Sequence, residues 1–317
     1  TTEIYTLSLH DALPIYCKTL VLKLTQMIQE ILKSYSKINI GLRILGKRGD
    51  GYHDIETIFY PIKIFDELGF TITPAASEFN SVLLKSNKSY IPLNADNLCY
   101  KAVLNFFKTF RIKETYKIEI DMIKNIPVGG GLGGGSSNAA TVLKFLIRYF
   151  KIDIEINRIK IIDLALSLGS DVPFFLILKP CYAEGRGEKL KPLKNFKINY
   201  NILIVNPHLH VSTKWAFENL NLPNGFRNEK SLDKITEFEP DKKNEFENDF
   251  EKIVFEKYPL LREIKNYMLD NGSVFSSMSG SGATVYGLFE PNKKGTLLKC
   301  REDFYKKKYL TFISNSE

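Results

Sequence analysis

The chain has 317 residues, 44% of them hydrophobic, with 44 Lys and Arg against 36 Asp and Glu for a formal net charge of +8. That length accommodates two domains with their own cores, and the basic residues are spread along it, which disfavours a nucleic-acid-binding stripe. Cys17, Cys99, Cys181 and Cys300 stand far apart, outside any CxxC pairing, which argues against a zinc site or a disulfide scaffold. The longest apolar run, Val172 to Leu178, is too short to cross a bilayer, so a cytoplasmic protein with no membrane partner is expected.

Residues 1–33 read differently from the rest. They show no clear period and carry no Arg, and the first methionine is Met27. Thr1 to about Gln26 is expected to be extraneous, the alternative being a genuine N-terminal extension. Next, Ile38, Ile40, Leu42 and Ile44 alternate with Lys37, Asn39, Gly41 and Arg43, which predicts a strand with Lys37 and Asn39 on one face. A turn cluster from Gly46 to Gly51 leads into Asp50-Gly51-Tyr52-His53. Leu68, Phe70 and Ile72 alternate as a further strand. Asp96-Asn97-Leu98 precedes a helix to about Phe110, with Leu98, Ala102 and Phe106 on one stripe.

Tyr116, Ile118, Ile120 and Met122 predict a strand, and beyond it lies PVGGGLGGGSSNAA, Pro127 to Ala140. Its six glycines are Gly129, Gly130, Gly131, Gly133, Gly134 and Gly135. A helix is expected to open near Ser136 and Ser137, with Ala139, Ala140, Val142, Leu143, Leu146 and Ile147 on one face. The first turn of a helix carries unpartnered N–H groups and the positive end of the macrodipole, and glycines let a ligand approach the backbone. The stretch therefore reads as a polyphosphate site, or else as a flexible connector. No lysine lies between Lys124 and Lys144, so it is no Walker A loop.

A helix from about Asn157, an expected N-cap, to Leu168 ends at Gly169. Asp171 is expected to cap the helix that takes Pro173 in its first turn. AEGRGE follows as a glycine-marked turn. A boundary is expected between Lys189 and Lys197, then a strand through Ile202 and Ile204, and then Thr213, Trp215 and Phe217. Residues 223–250, charged and poor in apolar residues, read as a linker, insertion or helix pair. Tyr258 to Leu269 reads as an amphipathic helix. Ser279, Gly280, Ser281 and Gly282 make a turn before a strand with Val285, Gly287 and Phe289.

These stretches together resemble the GHMP kinases. Pro127, Gly131, Leu132, Gly133, Gly134, Gly135 and Ser136 fill the family's phosphate-loop pattern. Ser36-Lys37-Ile38-Asn39 resembles its first motif, Gly169 to Pro173 its acidic motif, and Ser279 to Ala283 its third. The resemblance runs from about Ser34 to the C-terminus and implies an α+β, two-domain fold. Residues 34–193 would form an ATP-binding domain like ribosomal protein S5 domain 2, and residues 194–317 a ferredoxin-like substrate domain.

The resemblance also implies roles. Lys37 and Asp171 would be catalytic, with Asp171 as the base. Asn97, Leu98, Lys124, Pro127, the six loop glycines, Ser136 and Ser137 would hold ATP, with Mg²⁺ expected on chemical grounds but no metal ligand singled out. Asn39, Tyr52, His53, Thr213, Phe217, Ser279 and Gly280 would face the substrate, Tyr52 and Phe217 sandwiching a pyrimidine. Asp-Gly-Tyr-His and AEGRGE resemble the branch of the family that phosphorylates the 2-hydroxyl of a cytidine diphosphate-linked methylerythritol on a route to isoprenoid precursors. The alternatives are a kinase of the homoserine or mevalonate type, or an S5-like RNA-binding protein. A monomer or weak homodimer is expected.

Overall fold

Two long strands set the frame of the computed structural model, which describes residues 28–220, 232–235 and 237–314. β1 (Ile28–Lys47) and β2 (His53–Pro74) pair antiparallel along their whole length. The turn between them is closed by Arg48 N–H on the Tyr52 carbonyl at 2.8 Å and by Tyr52 N–H on the Asp50 carboxylate at 3.1 Å. β1 begins at Ile28, so residues 28–33 belong to the sheet rather than to the segment set apart at the N-terminus. The expectation for residues 1–26 lies outside the described residues.

β1 takes one edge of β2. The other edge is shared by β4 (Tyr116–Ile123) and β5 (Cys181–Gly185), flanked by β3 (Ser81–Ser86) and β6 (Lys189–Pro192). Four helices cover one face: α1 (Leu98–Phe110), α2 (Gly134–Tyr149), α3 (Arg158–Leu168) and α4 (Val172–Ile177). Their apolar stripes meet Leu68, Phe70 and Ile72 of β2, with the Phe70 and Phe145 rings stacked at 4.3 Å. α2 opens at Gly134 behind Gly133, two residues before the expected serines, because glycine at positive φ makes the sharp entry. Asn157 precedes α3 but does not cap it; its amide donates instead to the Asp153 carbonyl at 2.9 Å.

The second sheet has the order β10-β7-β9-β8, from β7 (Asn201–Asn206), β8 (Phe275–Met278), β9 (Val285–Phe289) and β10 (Leu310–Ser314). All neighbours are antiparallel. The short α5 (Thr213–Glu218) follows β7. α6 (Glu251–Lys257) and α7 (Pro259–Asp270) precede β8, and α8 (Lys294–Lys306) precedes β10. This is the ferredoxin-like βαββαβ plan.

The two sheets share a core. Ile38, Ile40 and Ile58 of the first pack in one cluster with Ile202, Ile204, Tyr286 and Leu288 of the second. The described part of 223–250 is no linker: Leu232, Phe238 and Phe246 are buried in that cluster. Leu42 N–H donates to the Glu247 carbonyl and the Leu42 carbonyl accepts from Asp249 N–H, both at 2.9 Å. Single apolar residues among charges hid this packing from any periodicity.

Candidate active site

Lys37 and Asn39 lie two apart on β1 and share a face, as strand geometry requires. The Lys37 ammonium donates to Asn39 Oδ1 at 2.6 Å, lies 3.6 Å from Asp171 Oδ2 and sits 4.8 Å from the Phe59 ring centroid. Its side chain is 6% exposed, that of Asp171 31%, so the pair has a dry end and a wet end. Burial lowers the Lys37 pKa, and Asp171 partly opposes this by favouring the ammonium. Asp171 stands at the head of α4, yet its side chain makes no capping bond. The cap reading is thereby corrected: the carboxylate is turned toward Lys37 and left available for chemistry.

The glycine loop runs past this pair along a cleft of about 490 Å³ whose lining includes Lys37, Asp171, Gly133, Gly134, Gly135 and Ser136. The Lys37 N–H donates to the Leu132 carbonyl at 3.1 Å, which fixes loop to strand. Asn97 and Leu98 also line this cleft, Leu98 beside Gly135. The Asn97 side chain caps α1, accepting from Cys99 N–H at 2.9 Å and donating to the Pro92 carbonyl at 2.7 Å.

Two residues expected at the nucleotide have their polar atoms engaged beneath the loop, although Lys124 also lines the cleft. The Lys124 ammonium is ion-paired with Asp66 and donates to Asn138 Oδ1 at 2.6 Å. The Ser137 hydroxyl is buried against the Tyr35 carbonyl and Ser34 at 2.5 and 2.7 Å. The engagement of Lys124 has a clear cause. Asp66 is a fully buried carboxylate under the loop, taking N–H bonds from Asn125 and Ile126 at 2.7 and 2.8 Å and one from Asn138 Nδ2 at 2.9 Å. A buried charge requires a counter-charge and satisfied oxygens, and Lys124 supplies the first.

A second cavity of about 830 Å³ adjoins the first, with Ile55, Arg186, Thr213 and Phe217 lining both. Tyr52 and His53 line the second. His53 itself stacks on Phe217 at 4.7 Å and 16°, while the Arg186 guanidinium covers Tyr52 at 4.6 Å, so a face of each ring is already taken by a neighbour. The expected Tyr52–Phe217 sandwich is corrected accordingly. Burial, with Lys47 nearby, lowers the His53 pKa and favours a neutral ring. Arg186 went unassigned among the sequence candidates although AEGRGE contains it.

Of the other residues expected to face a substrate, Ser279 makes a joint between the two halves, while Thr213 and Gly280 line the cleft and are tied down within the second half. The Ser279 hydroxyl accepts from Asn39 N–H at 3.2 Å and donates to the Gly131 carbonyl at 2.9 Å. Thr213 and Ser281 share a hydroxyl bond at 2.8 Å, and the Gly280 carbonyl accepts from Asn248 Nδ2 at 2.8 Å. The Asn39 amide is filled by Lys37 and by Thr57 Oγ1, the latter at 3.0 Å.

A helix-end glycine loop without a Walker lysine, beside a buried lysine paired with a partly exposed carboxylate, has the parts of a phosphotransferase site of the GHMP class. Residues 97–178 match the family described as GHMP kinases N terminal domain, and residues 231–306 match GHMP kinases C terminal. A 4-diphosphocytidyl-2-C-methyl-D-erythritol kinase of Bacteroides thetaiotaomicron is 40% identical over 264 residues, covering 83% of this chain and 92% of the relative. One of Pelodictyon phaeoclathratiforme is 39% identical over 266 residues, covering 82% and 88%. The chain therefore belongs to the GHMP kinases and, within them, to the family of 4-diphosphocytidyl-2-C-methyl-D-erythritol kinases. A crystal structure of a 4-(cytidine 5'-diphospho)-2C-methyl-D-erythritol kinase superposes with a TM-score of 0.71 at 29% identity, over 90% of this chain and 98% of that one. The mevalonate kinase of Methanococcus jannaschii, 17% identical with a TM-score of 0.58, shares the fold.

Proposed function

We propose that the protein transfers the γ-phosphoryl group of ATP to the 2-hydroxyl of 4-diphosphocytidyl-2-C-methyl-D-erythritol, the compound for which its relatives are named. Phosphoryl transfer needs little covalent help from the protein; it needs aligned reactants, neutralised charge and a destination for one proton. In this reading the N-terminus of α2 and the N–H groups of Gly133 to Ser136 hold the phosphates. Asp171 accepts the hydroxyl proton as oxygen attacks phosphorus. The Lys37 ammonium, 3.6 Å from that carboxylate, stabilises charge developing on the transferred group. The cytidine end occupies the second cavity, by His53, Tyr52 and Phe217.

Mg²⁺ belongs to the same proposal. Among the described residues no group of three or more His, Cys, Asp or Glu is placed to hold an ion. That donor set fits an ion carried in on nucleotide phosphates, which Mg²⁺ favours, with Asp171 and the Ser136 hydroxyl as protein oxygens of the cleft wall that could complete its shell. When bound, it would draw negative charge off the phosphates. Nor is any helix among the described residues long and apolar enough to cross a membrane.

One observation carries the reading: the Lys37–Asp171 pair stands where the glycine-loop cleft meets a second cavity, with Asp171 lining one and its neighbour Ser170 the other. The test is ATP consumption with a panel of acceptors: the cytidylyl compound, mevalonate and homoserine. Phosphorylation confined to the cytidylyl compound is expected, and turnover of either of the others in its place would overturn the assignment.

A further inference from the structure

We propose that Tyr286, which lines neither cavity, is a positioning residue for Lys37 and acts on it through Asn39. The inference rests on the phosphotransfer reading and concerns what holds its ammonium in place.

In a β-strand the N–H and C=O of one residue point to the same side, and those of residues i and i+2 point together. At Lys37 and Asn39 they point away from β2, toward a sheet edge that no further strand occupies. Lys37 N–H is taken by the glycine loop, at Leu132. The peptide groups at Asn39 are taken by two hydroxyls of the second sheet: N–H by Ser279 and the carbonyl by Tyr286, whose phenol donates at 3.0 Å. The Asn39 side chain then faces the other way, with Oδ1 on the Lys37 ammonium and Nδ2 on Thr57. All four polar atoms of Asn39 are thus used, two by each half of the protein.

This arrangement answers a mechanical need. A lysine ammonium is a point charge on a flexible four-carbon stem, and strand geometry alone does not fix it. The register shift between Ile40 and Leu42, with Gly41 at φ +67°, loosens the ladder beside it. Fixing the Asn39 peptide from outside fixes Oδ1, and Oδ1 fixes the ammonium. Tyr286 suits the task because it is fully buried and its phenol stays a neutral donor: burial, with Glu251 nearby, pushes its pKa well above the ordinary value.

The experiment is steady-state kinetics on the full chain with ATP and 4-diphosphocytidyl-2-C-methyl-D-erythritol, comparing wild type with Tyr286→Phe, Lys37→Gln and the double variant. Ser279→Ala, which frees the N–H of the same residue and also the Gly131 carbonyl, is the second probe should Tyr286→Phe fold poorly. Tyr286→Phe and Ser279→Ala are each expected to lower kcat about tenfold, the scale of one net hydrogen bond, with both KM values within about twofold. In the Lys37→Gln background either change should add nothing, because the group it positions is gone. A loss of equal size in that background, a change in KM in place of kcat, or unchanged kcat in both variants would overturn the proposal. Wild-type turnover tests the reaction itself, so the two failures are told apart.

Discussion

Gly131 and Ser279 meet so closely that no side chain fits between them: a Cβ on Gly131 would overlap the Ser279 carbonyl oxygen and lie 2.8 Å from its carbonyl carbon. Gly129 lies in the same way against His210, and Gly130 against Asn206 and Thr284. The first glycine triplet is therefore a joint with the second sheet. Gly135, by contrast, has only Leu98 Cδ1 at 3.8 Å and faces the cleft.

Gly131→Ala should accordingly destabilise the fold as well as weaken ATP binding, since φ is +75° and the overlapping atoms are backbone. Gly135→Ala, inside α2, should raise thermal stability slightly, by up to about 1 kcal/mol of helix propensity, while raising the KM for ATP. Thermal melts beside ATP titrations check both. Equal melting temperatures for the two variants would refute the division of the loop.

Asp171→Asn should lower kcat by about 10²- to 10⁴-fold, the usual cost of losing a general base. Because the carboxylate caps nothing, any fall in melting temperature should come from Lys37 losing its counter-charge, and it should be smaller than at a fully buried pair because Asp171 is partly exposed. A variant that retains a tenth of wild-type kcat would remove Asp171 from the proton path.

The ionisation of Lys37 should show in the pH profile. Burial lowers its pKa, so the required ammonium is lost as pH rises, at a pH below the ordinary lysine value of 10.5. kcat should fall on that alkaline limb. Lys37→Arg stays charged and should be slower but flat up to about pH 10. An unchanged limb in Lys37→Arg would assign the ionisation to another group.

Phe217→Ala should raise the KM for the cytidylyl substrate about fivefold or more, on the scale of one lost aromatic stack, and leave the KM for ATP within about twofold. The loss acts partly through His53, whose ring rests on Phe217. His53→Phe keeps the stack and removes the ring nitrogens, so comparing the two variants separates stacking from hydrogen bonding. If CMP fails to compete with substrate in wild type, the second cavity holds no cytidine.

Asp66→Asn should cost about 3–5 kcal/mol of stability, because it leaves the buried Lys124 ammonium without its counter-charge. Denaturant unfolding checks this, and adding Lys124→Met should restore part of the loss.

Much of the site was legible because β-structure is periodic and glycine is conspicuous. Alternation alone places Lys37 beside Asn39, and the glycines with the apolar stripe after them place the head of α2. Asp66 was legible too, though unread: it shares parity with Ile62, Ile64, Leu68 and Phe70, so the alternation that buries those residues buries a carboxylate with them. Which glycines also make the joint was not legible, since that depends on Ser279 and His210, far away in the chain. Residues 232–250 were unreadable for another reason. Leu232, Phe238 and Phe246 are buried singly, in 3₁₀ turns and extended segments without a repeating period.

The core shared by the two sheets has a mechanical consequence. Halves with separate cores and a thin connection swing apart on a hinge. Here such a swing would wet Ile38, Ile40, Ile202 and Ile204 together, at about 25 cal/mol for each Å² of apolar surface uncovered. Such a swing is therefore disfavoured, and the cleft between the halves is held in shape by the same core that folds them.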